Sequence, residues 1–232
     1  RANRLAHLLR AEGLQHQDHY AIMMENNDRY MEACAAGERA GLYYTCVNSY
    51  LTADELAYIL TNSESQILIT SAAKLEVAQE AVAQCAAVKL VLVVGAAELE
   101  LAEGFEDYAS ACSRFPETAI ADELLGTSML YSSGTTGRPK GIIRPLPAQS
   151  PAEQLPIFDF LGGLWRYREG MIYLSPAPLY HSAPQAAVNL TIRHGGTVII
   201  MERFDPQEYL ALIERYQVSH SQLVPTMFSR ML

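Results

Sequence analysis

Between Tyr131 and Gly141 the chain reads YSSGTTGRPKG, which crowds Ser132, Ser133, Thr135 and Thr136, three glycines and one lysine into eleven positions. Glycines let a backbone approach a ligand closely and turn its N–H groups inward, which makes a concavity for anions. Aliphatic hydroxyls add donors around phosphate oxygens, and one of them can enter the shell of a magnesium ion. Lys140 supplies a compact positive charge, placed by the stiff Pro139 before it. In a chain of net charge −9 this is the segment equipped to seat a polyphosphate. A Walker loop is excluded: counted from Gly134 the sixth residue is Pro139 rather than glycine, and Gly141, not Ser or Thr, follows the lysine. A polar surface turn remains the bland alternative, although such turns rarely gather these residues directly after a buried strand.

A second candidate is His181, which follows an apolar run, Met171 to Leu174, through the turn Pro176-Ala177-Pro178. That order places it near the carboxyl end of a strand, where α/β folds bind ligands. By position alone a helix-capping or packing histidine is the better reading. His16 and His19 share a polar loop without a third ligand, and His7, His194 and His220 carry no functional assignment. Trp165, the single tryptophan, reads as packing, and Arg144 as an ordinary exposed arginine.

These groups need a frame, and the hydrophobic pattern describes one. Arg1 to Arg10 has Leu5, Leu8 and Leu9 at helical spacing, with Gly13 as a stop. Strand-length apolar runs follow at Tyr20 to Met24, Leu42 to Val47, Gln66 to Thr70 and Lys89 to Val94. Helices are predicted between them: Tyr30 to Arg39, then Glu55 to Leu60 behind the capping box of Thr52 and Glu55, then an Ala-rich helix from a Ser71 cap to about Cys85. Glu98 to Asp122 is acidic and irregular, so a subdomain joint is placed there: 1–122 as a first α/β subdomain, 123–232 as a second. Further strands are expected at Ser128 to Tyr131, Met171 to Leu174, Thr197 to Met201 and Ser221 to Val224. Helices are expected at Ala183 to Arg193 and at Pro206 to Tyr216, the latter capped by Asp205, while Pro145 to Pro156 reads as a loop. Strands that are apolar throughout imply mainly parallel sheets covered by helices on both faces. The fold class is α/β, two similar doubly wound subdomains.

Composition narrows the partners. Seventeen basic against 26 acidic residues disfavour a nucleic-acid or anionic-membrane surface. No apolar run is long enough to span a bilayer. Cys34, Cys46, Cys85 and Cys112 lie far apart with no CxxC pair, which suits reduced thiols in a cytoplasmic protein. Residue 1 is an arginine inside a helical pattern, so targeting is not judged. Oligomeric state is not readable.

The string SSGTTGRPKG closely resembles the phosphate-binding motif of the adenylate-forming superfamily: acyl-CoA synthetases, peptide-synthetase adenylation domains and firefly luciferase. GERAGLYYTCVNSYLTADELAYIL upstream, and PLYHSAP and FDPQEYLALIERYQVSHSQLVPTMFSRML downstream, resemble further stretches of those enzymes in the same order. GRPKGIIRPLP looks more like fatty-acid CoA ligases than like amino-acid adenylation domains. The resemblance implies a two-step reaction. A carboxylate attacks the α-phosphorus of Mg2+-bound ATP to give acyl-AMP and pyrophosphate, and a thiol, usually of coenzyme A, then displaces AMP. It implies that Ser132, Ser133, Gly134, Thr135, Thr136, Gly137 and Lys140 hold the β- and γ-phosphates, with Thr136, Lys140 and His181 in catalytic roles and His181 bordering the acid. It implies no resident metal site here.

The superfamily's later motifs, which carry the magnesium-binding glutamate, the ribose aspartate and the lysine of a mobile C-terminal domain, do not occur in these residues. The chain alone is therefore expected to be inactive, as the front of a larger domain. The acid is expected to be hydrophobic: Phe158 to Trp165 would suit a long chain or ring system, or equally a core helix. A carrier-loading adenylation domain and a non-catalytic nucleotide-binding module are the alternatives. A Rossmann dehydrogenase is disfavoured because no GxGxxG follows a predicted strand.

Overall fold

A computed structural model describes residues 1–132, 138–153 and 155–232, and they fold into two compact units. The first comprises Arg1–Met24 and Arg29–Glu153; the second comprises Glu25–Asp28 and Gln154–Leu232. In chain order the first unit runs α1 (Ala2–Ala11), β1 (His19–Met23), α2 (Asp28–Ala40), β2 (Tyr43–Cys46), α3 (Ala53–Asn62), β3 (Ser65–Ser71), α4 (Leu75–Val82), β4 (Leu90–Val94), β5 (Phe105–Asp107), α5 (Tyr108–Ser113), β6 (Thr127–Ser132) and β7 (Lys140–Ile142).

Seven strands form one sheet in the order β5-β4-β3-β1-β2-β6-β7. All neighbours are parallel except β6 and β7. The period of two along β1 shows why both faces must be covered. Ala21 and Met23 join Leu68, Val91 and Val93 in a cluster closed by Leu56 and Leu60 of α3 and by Ala78 and Ala81 of α4. Tyr20 and Ile22 point the other way and are equally buried. The Tyr20 hydroxyl donates to the Ala33 carbonyl of α2 and accepts from Gly37 N–H, which seats α2 on that face.

The second unit runs α6 (Pro156–Leu164), β8 (Ile172–Ser175), α7 (Ser182–Arg193), β9 (Thr197–Ile200), α8 (Pro206–Tyr216), β10 (His220–Ser221) and α9 (Pro225–Met231). Its sheet is parallel, in the order β10-β8-β9. The chain moves from β8 to one side and then back to the other, so right-handed crossovers send α7 and α8 to opposite faces. Leu174, Met201 and Tyr209 form the core on the α8 side, with Ile199, Phe204 and Ile213 packed against them.

Several local readings hold. Thr52 Oγ1 accepts from Glu55 N–H while Glu55 reaches back to Thr52 N–H, a complete capping box. Asp205 caps α8 by accepting from Glu208 N–H at 2.8 Å. Others differ. The joint expected between residues 122 and 123 falls inside the first unit, because β6 pairs with β2 and carries the following loop with it. Ser71 ends β3 without a side-chain cap, and a 3-10 turn at Ala72–Lys74 precedes a shorter α4. The stretch read as irregular holds β5 and α5, with Asp107 capping α5 through Ser110 N–H. The last strand stops at Ser221, since Pro225 opens α9 just beyond.

The four cysteines are buried and form no disulfide. Burial raises the Cys34 thiol well above its ordinary value and pushes Cys112 up to about 11. No helix among the described residues is long and apolar enough to cross a membrane.

The strand β6 begins at a tight crossing. A Cβ on Gly126 would meet the Leu42 amide nitrogen at 2.7 Å, and the carbonyls of Gly37 and Leu42 closer still. Backbone cannot yield as a side-chain tip does, so overpacking here strains the β2–β6 junction. Gly126→Ala is expected to cost about 2–3 kcal/mol in urea unfolding. A cost below about 0.5 kcal/mol would mean that the two backbones part freely.

Candidate functional site: a phosphate loop at the carboxyl edge of the sheet

Parallel strands deliver their carboxyl ends to a single edge, and loops at that edge are where ligands gather in this architecture. β6 runs parallel to β2 and ends there at Ser132. The chain returns through β7, in which Lys140 pairs with Ser132, Gly141 with Tyr131 and Ile142 with Leu130. Residues directly opposed in an antiparallel pair share a face, so Ser132 and Lys140 project on the same side. The Ser132 hydroxyl donates to the Lys140 carbonyl at 3.5 Å. Both side chains are exposed. Among the described residues the Lys140 ammonium has no ion-pair partner. Ser133, Gly134, Thr135, Thr136 and Gly137 lie outside the described residues. Of the expected phosphate-binding set, the structure therefore brings Ser132 and Lys140 together.

The loop's ends are held by residues that sequence reading passed over. The Tyr58 hydroxyl on α3 donates to the Pro139 carbonyl at 3.1 Å, and the Arg138 guanidinium lies 5.2 Å from the centre of the Tyr58 ring. The Tyr131 hydroxyl donates to Asn62 Oδ1 at 2.7 Å. Burial pushes the Tyr131 phenol up to about 12, so it stays a donor at any ordinary pH. Gly141 is required by close approach: an added Cβ would lie 3.1–3.2 Å from the tip of the Tyr131 ring and closer still to Met129. None of these contacts has a short-range signature. Only the glycine after Pro-Lys hinted that something lies over the strand.

His181 lies in the second unit, beyond the carboxyl end of β8, the central strand about which the chain reverses direction. It occupies the N-cap position of α7 without capping the helix through its side chain. Its ring instead lies beside Tyr180, with centroids 4.4 Å apart. Partial burial lowers its pKa below the ordinary 6.5, so the imidazole is neutral at neutral pH.

The turn leading to His181 is fastened by Asn26, which sequence reading also missed. The Asn26 amide nitrogen donates to the carbonyls of Ala177 (2.9 Å) and Met201 (3.0 Å), and its Oδ1 accepts from Leu179 N–H (2.8 Å). The signal was weak: an Asn-Asn pair between a strand and a helix, equally at home in any turn.

Four of the remaining histidines have structural partners. His7 contacts the Thr118 carbonyl, His194 the Leu190 carbonyl and His220 the Trp165 carbonyl, while His19 stacks on Tyr43 at 4.7 Å. Among the described residues no three His, Cys, Asp or Glu side chains cluster to hold a metal ion. In this chain helix α6 is mostly exposed. Gly162 is its only buried member among the described side chains, and Ile157, Phe160 and Leu164 are each more than half exposed.

A doubly wound parallel sheet whose carboxyl edge bears a loop rich in glycine, hydroxyls and a lysine defines a nucleotide-binding α/β protein. A family model described as AMP-binding enzyme matches residues 1–232, and the chain belongs to that family, the adenylate-forming ligases. It is 31% identical over 240 residues to a feruloyl-CoA synthase of Amycolatopsis, covering 98% of this chain and 43% of that protein. It is 29% identical over 238 residues to the long-chain-fatty-acid–CoA ligase FadD13 of Mycobacterium tuberculosis, covering 99% and 44%. Among solved structures, the N-terminal domain of FACL13 from Mycobacterium tuberculosis matches with TM-score 0.80 at 25% identity, over 99% of this chain and 55% of that one. ATP-bound MatB from Rhodopseudomonas palustris matches with TM-score 0.76 at 29% identity, over 99% and 44%. The chain thus spans about 43–44% of the curated relatives named here.

Two measurements follow. The His181 ring protons should titrate below pH 6.5 by NMR, protonating only as pH falls past the ordinary histidine value. A midpoint at or above 6.5 would contradict the burial described. Asn26→Ala strands two carbonyls and one N–H. It should cost about 2–4 kcal/mol in denaturant unfolding, and an unaltered midpoint would show that those groups find water instead.

Proposed function

We propose that the whole protein bearing this chain is an ATP-dependent acid–thiol ligase that activates a hydrophobic carboxylic acid as its adenylate and passes the acyl group to coenzyme A. The observation that carries the reading is the pairing of Lys140 with Ser132 across the two strands that open and close the hydroxyl- and glycine-rich loop. It sets a lysine charge and a hydroxyl side by side where the parallel sheet presents its ligands. Family membership supports the adenylate-forming step. The names of the relatives, a feruloyl-CoA synthase and a long-chain-fatty-acid–CoA ligase, support CoA as acceptor and an apolar acid. The exposed apolar residues of α6 are in keeping with such an acid.

In the first step a carboxylate oxygen bonds to the α-phosphorus and the bond from that phosphorus to the bridging oxygen breaks. Pyrophosphate leaves with the electron pair. Charge therefore grows on the β- and γ-phosphates, and preorganised donors aimed there lower the barrier. Lys140 and Ser132, with Ser133, Gly134, Thr135, Thr136 and Gly137, are assigned to that role. The neutral His181 is assigned to the border of the acid, where it can accept a hydrogen bond without adding charge. Magnesium is assigned to the ATP complex that the loop would receive. In the second step the thiol sulfur attacks the acyl carbon, AMP departs and the thiol proton is lost.

Lys140→Ala in the whole protein should cut adenylation by about 100-fold or more, the scale of removing one preorganised donor. Its thermal midpoint should move by no more than about 3 °C, because the side chain is exposed. ATP–pyrophosphate exchange with a panel of aliphatic and aromatic acids, followed by acyl-CoA detection, measures both steps. Undiminished exchange in Lys140→Ala would remove the assignment of the loop. Acyl transfer to a carrier-bound thiol but not to CoA would change the acceptor.

A further inference from the structure

The geometry points to α3 as the element that holds the two strand ends flanking the proposed phosphate loop, with Tyr58 and Asn62 as its two positioning residues. The inference deepens the function proposed above and rests on its reading of the loop as the pyrophosphate seat. Tyr58 and Asn62 stand four residues apart and so project from one face of the helix. Each grips a different end of the same hairpin. Asn62 accepts from Tyr131 on β6, one residue before the loop begins, and Tyr58 donates to the carbonyl of Pro139, one residue before Lys140. The Tyr58 ring also carries the Arg138 guanidinium at 5.2 Å, which fixes the residue on the other side of Pro139.

A three-residue strand at the edge of a sheet needs such support, because β7 pairs only with β6. A two-stranded ribbon is marginal by itself. Helix α3 is well suited to be the fixed member. Its first turn is closed by the capping box, and Leu56, Ile59 and Leu60 are buried in the core. Tyr58 and Tyr131 pack against the same cluster that holds the helix to the sheet. The hairpin is thereby referred to the core through two hydroxyl contacts. Loss of either would leave Lys140 in place along the chain but loosely placed in space, and a positioning error of this kind weakens charge stabilisation without unfolding the protein.

The test compares the wild-type chain with Tyr58→Phe, Asn62→Leu, Asn62→Asp and Lys140→Ala. Pyrophosphate binding is read by calorimetry, and amide exchange of residues 138–142 by mass spectrometry. Tyr58→Phe keeps the ring over Arg138 and removes only the hydroxyl. Asn62→Asp keeps an acceptor for Tyr131, whereas Asn62→Leu does not. Expected is a five- to tenfold weaker binding, about one hydrogen bond's worth, in Tyr58→Phe and Asn62→Leu. Asn62→Asp should bind close to wild type, exchange should quicken at 138–142 but not in β4, and thermal midpoints should stay within about 3 °C. Wild-type binding and exchange in Tyr58→Phe and Asn62→Leu would overturn the inference while leaving the loop assignment standing. If wild type binds no pyrophosphate, or Lys140→Ala binds as well as wild type, the loop assignment fails. Exchange then decides the clamp by itself: quickened exchange supports it and unchanged exchange overturns it.

Discussion

The parallel pairing of β6 to β2 is the interaction on which the candidate site depends. It aligns Tyr43, Tyr44 and Thr45 with Thr127, Ser128 and Met129, and so fixes where β6 ends and its loop begins. The pairing is possible only because Gly126 lets the chain pass against Leu42 and Gly37. Downstream of it, every position follows from register. Ser132 comes to the carboxyl edge, the antiparallel return sets Lys140 opposite, and Gly141 leaves room for the Tyr131 ring. The two strands that flank the proposed loop take their placement from the sheet and from contacts with α3.

The same logic recurs in the second unit in a different form. His181 follows the central strand of a sheet with short strands, and the turn that presents it carries two prolines and few backbone hydrogen bonds of its own. Asn26 supplies the missing order from a segment far away in sequence, using one carboxamide to satisfy three backbone groups. A buried amide with its hydrogen bonds complete is rigid, and an incomplete one is costly, which makes it a good fastener.

Much of this frame was legible in the sequence, for identifiable reasons. Continuous apolar strands such as Leu90 to Val94, and caps such as Thr52 with Glu55 or Asp205 with Glu208, act over a few residues and leave local signatures. What escaped was decided at long range. β5 is a short edge strand whose pairing to β4 outweighs its acidic composition. β7 is strand only because β6 lies beside it. The joint placed at 122/123 assumed that a polar stretch separates subdomains, whereas that stretch contributes an outer strand and a capped helix to the first unit. Tyr58, Asn62 and Asn26 looked like ordinary helix and turn residues, since their partners are 81, 69 and about 150–175 positions away. The family was legible because its motif is written in consecutive residues.

The seclusion of the four thiols has a practical consequence. With every cysteine of this chain buried and outside any disulfide, and with burial holding Cys34 and Cys112 above their ordinary range, the surface of this chain offers alkylating reagents almost no nucleophilic sulfur. A single cysteine engineered beside the hairpin would therefore take a fluorophore or spin label selectively, without first stripping the native ones. Ligand binding beside the hairpin could be followed spectroscopically against a silent background.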